Sequence, residues 1–206
     1  MKIILRLIVV AGAITAYSFW QGTAPAEASV EGETIAIDAG HGGYDSGATG
    51  NGVYEKELVN DVAVRTKERL EQGGANVIMT RSGDNFVELK ERARIANEAG
   101  ADAFVSIHAN SASTASADGS ETYYYPQSSE GSELASGLQT NMVNEFNSND
   151  RGIKSANFSV LRNTAMPAAL VELGFVSNKE EAADMQTSAF RNEAANAIYL
   201  GLSEYH

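Results

Sequence analysis

From residue 34 onward, short apolar runs alternate with stretches of helical spacing. Thr34 to Ile37, Ala75 to Thr80 and Asp102 to His108 are bounded by glycine or turn residues and read as buried strands. Glu57 to Gln72 places Leu58, Val59, Val62, Ala63, Thr66 and Leu70 at helical spacing, and Gly73-Gly74 ends it as a C-cap signal. Val87 to Ala99 predicts a second helix, with Leu89, Ala93, Ile95 and Ala96 on one side. Ser120 to Tyr125 alternates like a strand, and Ser129 to Phe146 reads as a helix turning Leu134, Leu138, Met142 and Val143 inward. Asn147 to Ala156 is expected to be loop, Phe158 to Leu161 a short strand and Ala168 to Leu173 an apolar strand. Helices over Lys179 to Met185 and Ser188 to Tyr205 close the chain.

Strand, helix, strand, helix, strand with short links predicts an α/β fold with parallel pairing through right-handed crossovers. In such sheets ligands sit outside the carboxyl ends of the strands. His41 follows the first strand and His108 ends the third, so both fall on that edge.

The first 28 residues stand apart from this pattern. Lys2 and Arg6 make a basic start, Leu7 to Phe19 is mostly apolar, and Ala26-Glu27-Ala28 is a small-x-small cleavage signal. Residues 1–28 are therefore expected to be a secretory signal peptide, cleaved after Ala28, leaving a domain over 29–206. An uncleaved anchor is the alternative, with Ile3 to Trp20 spanning the bilayer while Arg6 snorkels. The chain has no cysteine, so core packing alone must hold an exported fold. Its net charge of −12 excludes nucleic acid as a partner, because phosphates would be repelled.

The glycine-rich stretch Asp38-Ala39-Gly40-His41-Gly42-Gly43 runs on to Tyr54-Glu55-Lys56-Glu57, where a helix starts. Zinc takes imidazole nitrogen and carboxylate oxygen, and a catalytic site uses three protein ligands with one position left open. His41, Glu55 and His108 supply that set; of the three histidines the remaining one is the terminal His206. Spacing alone does not choose Glu55 over Glu57, since a first-turn glutamate also complements the helix dipole. Glu172 is a single charge inside Ala-Ala-Leu-Val-Glu-Leu-Gly, costly to bury unless paired or used. It is a candidate general base, or else the partner of Arg162 or Lys154 in a salt bridge. Asp38 would orient a ligating imidazole or cap the turn, and Arg81, Arg92 and Asn97 would serve as framework or as substrate contacts.

These residues, with Thr80-Arg81, Ala96-Asn97, Ser106-Ile107-His108-Ala109-Asn110 and Val171-Glu172-Leu173-Gly174-Phe175, resemble the zinc-dependent N-acetylmuramoyl-L-alanine amidases of the amidase-3 type over about 34–205. The resemblance implies a single-domain, three-layer α/β sandwich, with a mostly parallel mixed sheet of about six strands and helices on both faces. It implies one zinc ion on His41, Glu55 and His108, thereby choosing Glu55 over Glu57, and Glu172 as the catalytic carboxylate. Peptidoglycan is the implied substrate, and a secreted monomer at the cell wall, without a permanent membrane anchor, is the expected state. Some members of that family carry a helical insertion after the second histidine that blocks the site; Ser111 to Gly119 is too short for one. A zinc peptidase cutting stem-peptide bonds and a catalytically silent wall-binding module are the competing readings.

Overall fold

The apolar runs pair into one six-stranded sheet in the computed structural model, which describes residues 29–206. The signal segment expected over 1–28 lies outside the described residues. In chain order the elements are β1 (Thr34–Ala39), β2 (Thr49–Gly50), β3 (Val53–Tyr54), α1 (Glu55–Gln72), β4 (Asn76–Met79), α2 (Leu89–Glu98) and β5 (Ala103–Asn110). There follow β6 (Ser120–Tyr124), α3 (Ser129–Phe146), β7 (Asp150–Ser155), α4 (Ser159–Arg162), β8 (Ala168–Phe175), α5 (Lys179–Met185) and α6 (Ser188–Tyr205).

The strand order is β4-β1-β5-β8-β6-β7, and every neighbouring pair is parallel except β6 with β8. This is the mostly parallel mixed sheet of the expected α/β class. Alternation along the strands splits the side chains into two layers. Ile35, Ile37, Val105, Ile107, Val171 and Leu173 turn to one face, where α1, α3 and α6 cover them in the main core. Ala36, Phe104, Ala168 and Leu170 turn to the other, under Ala96 of α2 and Val160 and Leu161 of α4. That second layer is thin, because α2 has ten residues and α4 only four. Beyond it the same face carries Asp38, Ser106, His108 and Glu172 at the strand ends.

Two segments differ from the sequence-based expectation. Residues 150–155, expected as loop, form edge strand β7, parallel to β6. Its sequence Asp-Arg-Gly-Ile-Lys-Ser has almost no apolar signal, since only one side of an edge strand is paired and little of it is buried. Residues 158–161, expected as a strand, contribute instead to helical turn α4, where Val160 and Leu161 pack downward into the smaller core. A run of four residues is too short for periodicity to separate the two states. The hairpin β2–β3 was absent from the expected elements, although Asn51-Gly52 at its turn, with φ of 47° and 85°, is a strong turn signal.

Candidate metal centre and active site

The loop after β1 is built to aim one imidazole. His41 has φ 59°, followed by Gly42 at 117° and Gly43 at 60°, so three consecutive residues lie in backbone regions that L side chains rarely adopt. Two buried arginines hold this conformation. Arg92 donates from Nη1 to the Ala39 carbonyl at 2.6 Å and from Nη2 to the His41 carbonyl at 2.6 Å. Arg81 donates from Nε to Ala39 O at 2.8 Å and from Nη2 to Gly40 O at 3.0 Å. Asp38 neither orients an imidazole nor caps the turn. It accepts Thr80 Oγ1 at 2.5 Å, Ser106 Oγ at 2.6 Å and Arg92 Nη1 at 2.9 Å, forming a buried ion pair under the loop. Both arginines are therefore framework, and so is Asn97, which bridges the Asn163 carbonyl and the Ala165 amide.

The structure brings His41, Glu55 and His108 together, with one donor atom from each within 4.8 Å of the others. Glu55 Oε1 lies 3.1 Å from His41 Nε2 and 2.9 Å from His108 Nδ1, and accepts the Ala109 amide at 3.0 Å. Its Oε2 accepts the Ala48 amide at 2.7 Å. Glu57 is exposed and takes no part in the cluster. His206 sits at the chain end beside Glu33, 3.6 Å away. Asp45 Oδ2 lies 2.9 Å from His41 Nδ1 and fixes that ring from behind, the outer-shell role expected of a carboxylate beside a ligating imidazole. Sequence reading did not single out Asp45, which sits in an irregular loop with no periodic signal.

Glu55 carries negative charge at the centre of the cluster. Burial alone would raise Glu55, but hydrogen bonds from His108 and His41 outweigh it and hold the carboxyl well below the usual carboxylate range. Burial opposes protonation of His41, yet Glu55 and Asp45 prevail and raise it to about 9. A charged carboxylate between two imidazoles draws positive charge, and two nitrogens with one oxygen is a donor set that fits a catalytic zinc ion. The residues present thus fit a divalent metal.

Glu172 stands next to this cluster. It pairs in register with His108 on β5 and with Glu121 on β6, so the three side chains form a row across the sheet. Its Oε2 is buried and without a hydrogen-bond partner among the described residues. Neither expected salt bridge forms: Lys154 pairs with Glu121, and Arg162 donates to Asn157. Burial pushes the Glu172 carboxyl up to about 7; Glu55 and Glu121 add to this, and His108 opposes it. Glu172, His41 and His108 line a cavity of about 330 Å³ whose rim carries Phe86, Leu89 and Phe158. Leu89, expected on one side of its helix with Ala93 and Ala96, is 52% exposed at this rim, while the two alanines are buried. Residues 111–119 contain no helix.

Fold and cluster together define a class: an α/β protein with a metal-type His-Glu-His group at parallel strand ends and a spare buried carboxylate beside it. Residues 35–204 match the N-acetylmuramoyl-L-alanine amidase family, and the chain belongs to that family. It is 41% identical to Bacillus subtilis YqiI over 185 residues, covering 89% of each chain. It is 42% identical to the Bacillus subtilis N-acetylmuramoyl-L-alanine amidase LytC over 179 residues, which are 86% of this chain but only 36% of LytC. Among solved structures, the catalytic domain of the amidase CwlV from Bacillus (Paenibacillus) polymyxa var. colistinus superposes with a TM-score of 0.80 at 40% identity, covering 84% of this chain and 97% of that one.

Proposed function

We propose that this protein is an exported, zinc-dependent enzyme hydrolysing the amide between N-acetylmuramic acid and L-alanine in peptidoglycan. Family membership and the amidase relatives support the reaction and the substrate. The observation that carries the mechanism is the buried, unpartnered Glu172 carboxylate oxygen beside three convergent metal-type donors.

In this reading His41, Glu55 and His108 hold one zinc ion. When bound, zinc supplies Lewis acidity, which polarises a carbonyl and acidifies water. The chain's own residues do the rest. Asp45 fixes the His41 ring from behind, and the Arg81–Arg92 framework fixes the loop. Glu172 takes the proton of the attacking water and passes it to the departing alanine nitrogen, acting as general base and then general acid. A salt bridge would occupy the oxygen that this role needs free. The carbonyl carbon gains the water oxygen, the C–N bond breaks, and a glycan strand and a free stem peptide result.

Residues 1–28 serve as the export leader, and the enzyme works as a monomer at the cell wall. No helix among the described residues is long and apolar enough to cross a membrane.

Glu172→Gln keeps the side chain's size and removes its basicity. The variant is expected to bind zinc and wall fragments as the parent does, while release of L-alanine amino ends falls by roughly 10²–10⁴-fold. Zinc lost in step with activity would make Glu172 a ligand. Activity kept within a few-fold would transfer the role to another carboxylate. New amino ends other than L-alanine would identify a stem peptidase instead.

A further inference from the structure

The row His108–Glu172–Glu121 continues on β7 into a pair of cations. Glu121 is buried, yet four donors converge on it. Asn110 Nδ2 and Tyr123 OH donate to Oε1 at 2.8 and 2.6 Å, and Arg151 Nε and Lys154 Nζ donate to Oε2 at 2.8 and 2.5 Å. Arg151 and Lys154 share Glu121 Oε2 in a chain of 27 acidic and 15 basic residues, and Glu121 is the register partner of the proposed base on the neighbouring strand.

Both cations keep donors facing solvent. The Lys154 side chain is 40% exposed and commits one of its three N–H groups to Glu121. The Arg151 side chain is 32% exposed; its Nη1 reaches the Asp118 carbonyl at 3.2 Å, and Nη2 is free among the described residues. The Arg151 guanidinium also lies 4.8 Å above the Phe175 ring, which fixes its plane. Glu121 thus acts as a buried anchor that immobilises two partly used cations on the strand beyond it, on the side of β6 away from Glu172. Neutralising a surface carboxylate would need neither the burial nor the second cation.

We propose that Lys154 and Arg151 form a carboxylate subsite for the stem-peptide half of the substrate, taking the free carboxyl of the second stem residue. The proposal rests on the amidase reading above. The two halves of that substrate differ in charge: sugar hydroxyls and acetamides are neutral, whereas the stem is acidic. A cationic pair therefore assigns the peptide to the β6–β7 side of the cleft. The reach agrees with this. Lys154 Nζ is bonded to Glu121, the register partner of Glu172 on the neighbouring strand, and adjacent strands lie about 4.7–4.9 Å apart. A peptide residue spans at most about 3.3–3.6 Å, so a carboxylate one to two residues past the scissile nitrogen lies within reach.

The test uses two disaccharide-tripeptide fragments that differ only at the second stem residue, one with its carboxyl free and one with it amidated. The parent enzyme is expected to prefer the acid by about tenfold in kcat/KM, mostly through KM, the scale of one charge-assisted hydrogen bond. High salt should shrink the preference. Lys154→Gln and Arg151→Gln, each checked for folding by thermal melting, should bring the acid-to-amide ratio toward one. A parent enzyme that does not distinguish the fragments overturns the subsite while leaving the amidase reading intact. So does a variant that loses rate on both equally with the ratio preserved, since that marks a purely structural role. A folded, zinc-loaded parent that hydrolyses neither fragment overturns the amidase reading and the subsite with it.

Discussion

Replacing Gly40 by alanine isolates what the loop contributes to the metal centre. An added Cβ would lie 2.4 Å from His108 Cε1, 2.7 Å from Nε2 and 2.8 Å from Nδ1, against an ordinary contact of 3.4–4 Å. The ring would have to retreat by the difference of about 1 Å, beyond the roughly 0.5 Å within which a functional constellation must be held. Neither partner can yield cheaply. His108 is tied to Glu55 at 2.9 Å and sits in an interior strand. Gly40 donates its amide to the Ile107 carbonyl at 3.1 Å and receives Arg81 at 3.0 Å. Gly40 lies outside the left-handed region, so the effect is steric and not backbone strain. Losing a supporting hydrogen bond behind a metal ligand costs roughly 10–100-fold in affinity, and displacing a ligand should cost more. Overpacking should lower stability by about 1–3 kcal/mol, leaving the protein folded. The assay is zinc competition against a chromophoric chelator, with thermal melting in parallel. An alanine variant that binds zinc within threefold of the parent would refute the reasoning.

Other perturbations probe the surroundings. Asp45→Ala removes the 2.9 Å contact behind His41 and should weaken zinc binding by roughly 10–100-fold with the melting temperature little changed, as read by the same competition. Arg92→Leu leaves Asp38 a buried, uncompensated charge and the His41 carbonyl without its arginine donor, and should cost about 3–5 kcal/mol in urea unfolding. Glu121 titrates near 2 against an ordinary 4.5: burial would raise it, but Lys154, Tyr123 and Arg151 pull it down. Its contribution to stability is thus present above pH 4.5 and lost as pH falls toward 2, so Glu121→Gln should be less stable than the parent at pH 7, the gap closing through that window in acid-unfolding curves.

The sequence exposes some parts of this site and hides others for identifiable reasons. β1, β5 and β8 are buried on both faces and read as nearly continuous apolar runs, so their ends and the histidines placed there are legible. Glu172 stands out for the same reason, as a charge where the pattern demands none. The partners that aim these groups carry no such mark. Arg92 shares the buried face of α2 with Ala93 and Ala96 and is one of the largest fully buried side chains, because its targets are backbone carbonyls of a loop distant in sequence. Periodicity cannot register such a partner. Leu89 shows the converse: an apolar residue at the right spacing left exposed at a cavity rim, where the helical layer ends before the cleft does.

The same reasoning explains why β7 is hidden while its consequence is large. A polar edge strand has no apolar period to detect, and its place is fixed by pairing with β6 and by Gln139, which donates to the Ser120 carbonyl at 2.8 Å and to Asp150 Oδ1 at 2.7 Å. Once that pairing is made, Arg151 and Lys154 cease to be loop charges and become neighbours of Glu121, one strand from Glu172. The metal-type cluster comes from strand ends that the core dictates. The charges that would sort one half of a substrate from the other come from an edge that only tertiary pairing creates. An edge strand can change its side chains with little cost to the core. Among proteins sharing this fold, variation in stem-peptide preference is therefore expected to concentrate on β7 and the end of β6, with the His-Glu-His group unchanged.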